Sequence, residues 1–340
     1  MIRKKGIKFK GFVFAMILGL TASISPVSAA SSEEISNEEN IALLQQLGYD
    51  FSEVRTLANS EDLKYAQLGY SKQELADITD VEKNHLDGIE GQLIAVDTKY
   101  TQINPDGTQF EITEEEYKNK QQMVQTSLCN VNTGCSDVED TPNWMRLTTT
   151  VSAVSNTSPK EYLIRHSFQW LKKPTDTFKD AIGTGHHVNL TSVQDSEILT
   201  YNYDQEYSKN PIIGLGPWEN QGTKTVYYWT ADRKGSGMGF EVQLIGDSFN
   251  NSGQYKRSNH RGSLSYRVIK NNSSATAADV SGHYLHLTTQ INGTLGIDIR
   301  GTGNFSISVT NKYTPAIQTG VSFSFIGARN KGIDLSPTEG

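Results

Sequence analysis

The chain has 340 residues, a formal net charge of −7 and 36% hydrophobic residues, enough for one large or two modest cores. No basic patch of nucleic-acid-binding size occurs, which sets that partner class aside, and no stretch beyond the amino terminus is apolar enough to span a bilayer as a helix. The charge is uneven, with 20 acidic and 7 basic residues from Ser31 to Lys120 but 18 and 19 from Gln121 to Gly340, so two regions with different surfaces are expected.

Arg3, Lys4, Lys5, Lys8 and Lys10 precede an apolar run from Gly11 to Leu20 and the small residues Val27-Ser28-Ala29. This is the pattern of a signal peptide over residues 1–29, cleaved after Ala29. Its removal moves the formal charge from −7 to −12 and implies a secreted, extracellular protein. Residues 30–40 are polar and acidic, the composition of a flexible start.

Residues 41–128 read as an acidic helical module. Ile41, Leu44 and Leu47 recur at helical spacing up to Gly48, a left-handed cap. Leu47-Gly48-Tyr49 through Val54 recurs as Leu68-Gly69-Tyr70 through Leu75, each copy ending one helix and starting the next. Asp50 with Glu53, Ser71 with Glu74, and Thr79 with Glu82 have capping-box spacing. Tyr49 and Tyr70 are expected to plug the bundle's own core rather than face a partner. From Gln92 to Tyr100 and Gln109 to Ile112 two strand-like runs flank Asn104-Pro105-Asp106-Gly107, a turn in which Pro sets one dihedral and Gly a positive one. They read as a connecting element, followed by a helix capped by Thr113 and Glu116 and running to about Leu128.

Cys129 and Cys135 close a short loop within a linker of residues 129–142, and an exported chain favours a disulfide there. Two cysteines without a nearby histidine do not make a zinc site, so no metal and no cofactor is expected. Residues 143–333 then read as an antiparallel β domain, with residues 334–340 as a tail. Candidate strands are Arg146–Val154, Glu161–Trp170, His187–Ser192, Lys224–Ala231, Gly239–Gly246 and Gly262–Lys270. Trp170, Trp218 and Trp229 are assigned to the core, Trp218 with the reservation that its Gly-rich approach is loop-like.

The stretch Tyr162 to Leu171, followed by Pro174, Asp176, Asp180 and Ile182-Gly183, resembles a segment of uncharacterised secreted proteins of Bacillus-type, Gram-positive bacteria. The Leu-Gly-Tyr junctions and the leader fit the same resemblance. It implies an exported Gram-positive protein and brings no activity with it.

The strongest local pattern runs from Tyr284 to Phe325 and predicts a β-meander. Leu285, Leu287 and Thr289 alternate with Tyr284, His286 and Thr288. A three-residue reversal, Ile291-Asn292-Gly293, would set Leu285 opposite Ile299, Leu287 opposite Ile297, His286 opposite Asp298 and Tyr284 opposite Arg300. A second reversal at Gly301-Thr302-Gly303 would set Phe305 opposite Ile299 and Ile307 opposite Ile297, with Val321, Phe323 and Phe325 in a further strand.

No nucleophile elbow, zinc-protease helix or phosphate loop is present. The candidate catalytic groups are His186 and His187 with Asp176 and Asp180, where imidazole and carboxylate could serve as base and orienting partner, and the His286–Asp298 pair. Trp218, Tyr284 and Arg300 are the candidate binding residues. The fold class is therefore α+β, a small helical module followed by a large sandwich-like antiparallel domain. Three functions fit: a non-enzymatic interaction protein at the cell envelope or on an extracellular target, binding glycan or a membrane surface; a membrane-active, pore-forming toxin-like protein whose Ser- and Thr-rich strands from Gly303 to Phe325 form an amphipathic hairpin; and a hydrolase using His186, His187 and Asp180.

Overall fold

The computed structural model describes residues 38–57, 60–104, 108–126, 143–174, 177–209, 217–250, 253–286, 296–299, 305–308, 317–325 and 331–332. The signal peptide, Cys129, Cys135 and the Asn292-Gly293 reversal lie outside them. The helices α1 (Glu38–Gln46), α2 (Phe51–Leu57), α3 (Glu61–Gln67), α4 (Lys72–Asp77) and α5 (Asp80–His85) come first. Gly48 and Gly69, at φ 90° and 87°, end α1 and α3 in the left-handed conformation that the repeat demands. Gly69 is needed twice over, because a Cβ there would lie 2.2 Å from Thr150 Oγ1. Ser71 with Glu74 and Thr79 with Glu82 form reciprocal capping boxes. Tyr49 and Tyr70 are buried, and the Tyr49 hydroxyl donates to the Tyr70 carbonyl at 2.9 Å, so both rings fill the molecule's interior as expected.

The remaining elements are β1 (Gly91–Ile103), β2 (Gln109–Ile112), α6 (Glu114–Thr126), β3 (Asn143–Val154), β4 (Glu161–Trp170), β5 (Lys179–His186), β6 (Leu190–Ser192), β7 (Ile198–Ser208), β8 (Glu219–Tyr228), β9 (Asp232–Lys234) and β10 (Gly237–Gln243). They continue with β11 (Ser248–Asn250), β12 (Gly253–Lys270), β13 (Ala277–Leu285), β14 (Gly296–Ile299), β15 (Phe305–Ser308), β16 (Ile317–Ser324) and β17 (Lys331–Gly332). Among the described residues they form a nine-stranded antiparallel sheet ordered β2-β1-β3-β4-β12-β7-β8, with β6 and β11 also on β12. A six-stranded sheet is ordered β17-β16-β13-β5-β10-β9, and β14 and β15 pair by themselves. The α+β class, short helices before two large antiparallel sheets, is what the sequence predicts.

Strand β4 shows how the layers stack. Ile164, Phe168 and Trp170 point to the six-stranded sheet and join one core with Ile182, Phe240, Val280, Tyr284 and Phe323. Leu163 points the other way, into a cluster with Tyr65, Leu68, Tyr70 and Leu86 of the helical part. The large sheet is thus covered on both faces, by helices on one and by the second sheet on the other.

Several sequence expectations change. The Gln92–Tyr100 run is no connector: β1 pairs with β3 from Gly91↔Val154 to Ile103↔Asn143, so the sheet begins before the cysteine-containing segment. The meander pairing fails at its first step. Tyr284 lies opposite Ile182 and Ile317, and Leu285 opposite Ala181, because β13 sits between β5 and β16. The second half of the pattern holds, with Ile299↔Phe305 and Ile297↔Ile307. Trp229 is 52% exposed, not a core residue. The strand that carries it ends at Tyr228, so the pleat that would have turned the indole inward stops one residue short.

Candidate functional site

Asp180, Tyr284 and His286 meet in the interior, where β13 ends. Asp180 enters from β5, the neighbour of β13. Its carboxylate accepts from the Tyr284 hydroxyl and lies 3.0 Å from His286 Nδ1, while Trp170 Nε1 donates to the Tyr284 oxygen at 3.0 Å. The Asp180 side chain is fully buried. Burial, and then the adjacent Asp180 carboxylate, push the Tyr284 phenol well above its ordinary value, which keeps the hydroxyl a donor. His286 is the last described residue before the 287–316 stretch, so the cluster ties the root of that stretch into the core.

The other candidates scatter. His186 stands six residues beyond Asp180 on the same strand, roughly 20 Å away at the rise of an extended chain. Its Nδ1–H donates to the His187 carbonyl at 3.2 Å and its Nε2 accepts from Ser192 at 3.1 Å, and burial holds its pKa down to about 4. His187 accepts from the Asn189 amide instead of reaching Asp180. Asp298 is opposite Ser306 in the β14–β15 register, and His286 has Asp180 as its carboxylate where the sequence suggests Asp298. Asp176 and Arg300 lie outside the described residues. With the Asp180 carboxylate fully buried, its contacts with Tyr284 and His286 join β5 to the end of β13. No group of three or more metal-binding side chains occurs among the described residues.

Trp218 belongs to a second surface that sequence reasoning touched with one residue. The amino-terminal half of β12, with β11 and the far ends of β7 and β8, runs beyond the bulge between Ser258 and Arg261. There Lys256 Nζ stands 4.4 Å over the half-buried Trp218 ring, and Arg257 lies over both Tyr255 and Tyr203. Phe249 is 61% exposed. Aromatic rings with a polar tip, alternating with cations, are the side chains that settle at a membrane–water boundary.

The third part is the β14–β15 ribbon. It lies outside both sheets in the hydrogen-bonding order. Yet β13 and β16, the strands it separates in sequence, pair directly, with Val280 opposite Val321. The whole 287–316 stretch is therefore an insertion between two adjacent core strands.

No family model and no curated protein matches the chain. Among solved structures, the membrane-inserted form of the Clostridium perfringens NetB toxin is similar, at 8% identity and a TM-score of 0.23, over 55% of this chain and 94% of that one. A likeness this distant bears no functional argument. No helix among the described residues is long and apolar enough to cross a membrane, which leaves crossing by strands untouched.

Proposed function

We propose that this is an exported, membrane-active protein that inserts residues 287–316 into lipid bilayers as an amphipathic β-hairpin. One observation carries the reading: period-two alternation on both arms of the inserted stretch. Leu287, Ile291, Leu295, Ile297 and Ile299 share one parity, with Thr288, Gln290, Asn292, Thr294, Asp298 and Arg300 on the other. Across Gly301 to Asn304, Phe305, Ile307 and Val309 alternate with Ser306, Ser308 and Thr310. The β14–β15 register pairs Ile297 with Ile307 and Ile299 with Phe305, which keeps the apolar parities together. A strand crossing a bilayer at a tilt needs roughly 9–11 residues with apolar side chains toward lipid and polar ones toward a lumen. Leu287 to Ile299 meets that length. Because the insertion separates two strands that stay paired, it can leave without breaking the β13–β16 ladder. The aromatic and cationic end of β12 would supply the surface contact that precedes insertion.

The test is dye release from loaded phosphatidylcholine–cholesterol vesicles by the mature protein, with Ile297→Asp and Ile307→Asp as variants. Wild type should release dye, and the variants should bind vesicles and fold but release little, because a charge on the lipid-facing side of a membrane strand is unfavourable near the midplane, by about 2–4 kcal/mol for Arg or Lys and by less for Asp. Folded wild-type protein that releases nothing, or variants with full activity, would refute the reading.

A further inference from the structure

The exposed Trp229 lies far in sequence from the ribbon and outside the Trp218 surface, and its surroundings differ from both. Of the four tryptophans, Trp144 and Trp170 are buried, and Trp218 is half-covered with Lys256 over its ring. Trp229 is instead 52% exposed and braced from two sides. The Tyr227 ring stacks beside it with centroids 6.2 Å apart, and the His85 ring meets it edge-on at 6.0 Å. Each brace is itself pinned. The Tyr227 hydroxyl donates to Thr79 Oγ1 at 2.7 Å, and His85 Nε2–H donates to the Ser196 carbonyl at 3.0 Å. An indole held this way presents a flat apolar face whose order has already been imposed by the fold.

The residues on either side of Ser196 give the patch its polar border. Asp195 takes a left-handed backbone at φ 57°, unusual for a residue with a side chain. Its carboxylate is 76% exposed and receives Arg233 Nη2 at 3.0 Å. The same guanidinium nitrogen bonds Glu197 Oε1. The Glu197 side chain is 1% exposed, and its second oxygen has no hydrogen-bond partner among the described residues. Sealed from solvent, the Glu197 carboxylate holds the guanidinium in place from beneath the surface.

We infer that Trp229, Asp195 and Arg233, with the buried Glu197 fixing the guanidinium, form a binding site for an uncharged sugar ring of a glycan. A pyranose has an apolar C–H face to lie on the indole and a rim of hydroxyls that donate to carboxylates and accept from a guanidinium. Two carboxylates against one arginine make the border unfavourable for phosphate or sulfate groups. One open aromatic face differs from the aromatic cage that encloses a quaternary ammonium. The inference is independent of membrane insertion, since it uses no residue of the ribbon or of the Trp218 surface.

The experiment is saturation-transfer NMR on the mature protein with the methyl glycosides of glucose, galactose, mannose and N-acetylglucosamine, and with choline chloride and inorganic phosphate as contrasting probes. At least one glycoside should show transfer. Trp229→Ala should weaken its binding by at least ~10-fold, as truncation of a central aromatic anchor does, and Trp229→Phe should retain part of it. Asp195→Asn, at a carboxylate 76% exposed, should weaken it while leaving the thermal midpoint near that of wild type. Absence of transfer from every glycoside, transfer from choline or phosphate alone, or glycoside binding unchanged in Trp229→Ala would each overturn the assignment.

Discussion

Acid should weaken this protein well before its surface carboxylates titrate, because its interior holds several neutral imidazoles. Burial holds His166, His186 and His260 down to about 4 and His283 to about 3, against an ordinary value of 6.5. His166 and His283 lie between the two sheets; the His166 ring contacts Thr149 at 2.9 Å, and Thr149 in turn meets Thr319 of the second sheet. A depressed folded pKa means that the unfolded chain takes the proton first. The stability is therefore complete above the unfolded value and is lost as pH falls from about 6.5 toward about 4. Each group contributes ~1.4 kcal/mol per pH unit inside that window. From pH 7 to pH 5 that is roughly 2 kcal/mol each and roughly 7 kcal/mol for four independent groups, against the ~5–15 kcal/mol that holds a typical domain together. Burial raises the Glu82 and Asp97 carboxyls, which take protons more readily when folded and offset part of the loss. Urea unfolding followed by tryptophan fluorescence at intervals between pH 7 and pH 5 measures the slope. The midpoint should fall steadily, and His260→Asn should remove about a quarter of the dependence. A midpoint that does not move over this range would refute the argument that these rings are buried and neutral.

Two substitutions test the layers separately. Arg165 is 2% exposed, with Nη2 3.0 Å from Glu74 and its guanidinium 3.2 Å over the Tyr70 ring. Burial alone would raise the Glu74 carboxyl, yet Arg165 and the Ser71 hydroxyl and amide hold it below the ordinary range. Glu74→Ala strands the guanidinium and should cost about 3 kcal/mol in denaturant unfolding, whereas pairing it with Arg165→Met should recover most of that; equal losses in the single and double variants would show that the pair does not matter. In the other layer, Gly282→Ala should cost about 3 kcal/mol, because its Cβ would stand 2.1 Å from His166 Nδ1 and 2.3 Å from Thr149 Oγ1. An unchanged midpoint would mean that the sheets are not packed this closely.

Local chemistry was readable in the sequence, and long-range pairing was not. The Gly48 and Gly69 caps, both capping boxes and the bounds of β4 follow from neighbours a few residues apart. Strands β5 and β7 escape notice for a physical reason. Asp180 to His186 is buried along its whole length, so no polar face alternates with an apolar one. Tyr203 to Tyr207 is rich in charge because it projects past the core. The candidate site follows the same division. In sequence Asp180 lies near His186 and His187, while its partner in the fold, His286, is 106 residues away. The parity rule suggests a His286–Asp298 pair, but both edges of β13 are already taken, by β5 and β16, and the carboxylate beside His286 comes from β5. Alternation assigns Trp229 to the core because it cannot show that the strand stops at Tyr228.

The two faces of the large sheet are built from different chemistry. Toward the second sheet the strands present Leu147, Val151, Ile164, Phe168, Leu199 and Tyr201, and apolar burial fixes the packing. Toward the helices they present Thr150, Ser152, Arg165 and Asn202, each with a buried polar atom that has no partner among the described residues, and Thr200, whose hydroxyl meets the Glu82 carboxyl. A cleft in that interface is lined by Glu74, Asp77 and Glu82 from the helices and by Arg146, Asn202 and Arg261 from the sheet. Arg261 reaches across to Asp77 at 2.6 Å, as Arg165 does to Glu74. Desolvated pairs of this kind add little net stability, since the loss of hydration nearly cancels the attraction, but they penalise any other register strongly. Apolar contacts such as Leu163 against Tyr70 and Leu86 must then supply most of the adhesion, and the ion pairs decide where the helices sit. A polar sheet face covered in this way reads, in one dimension, as alternation with a solvated side. That is why the sequence suggests a separate helical module beside a sandwich, where the fold has a helical layer laid on the sandwich itself.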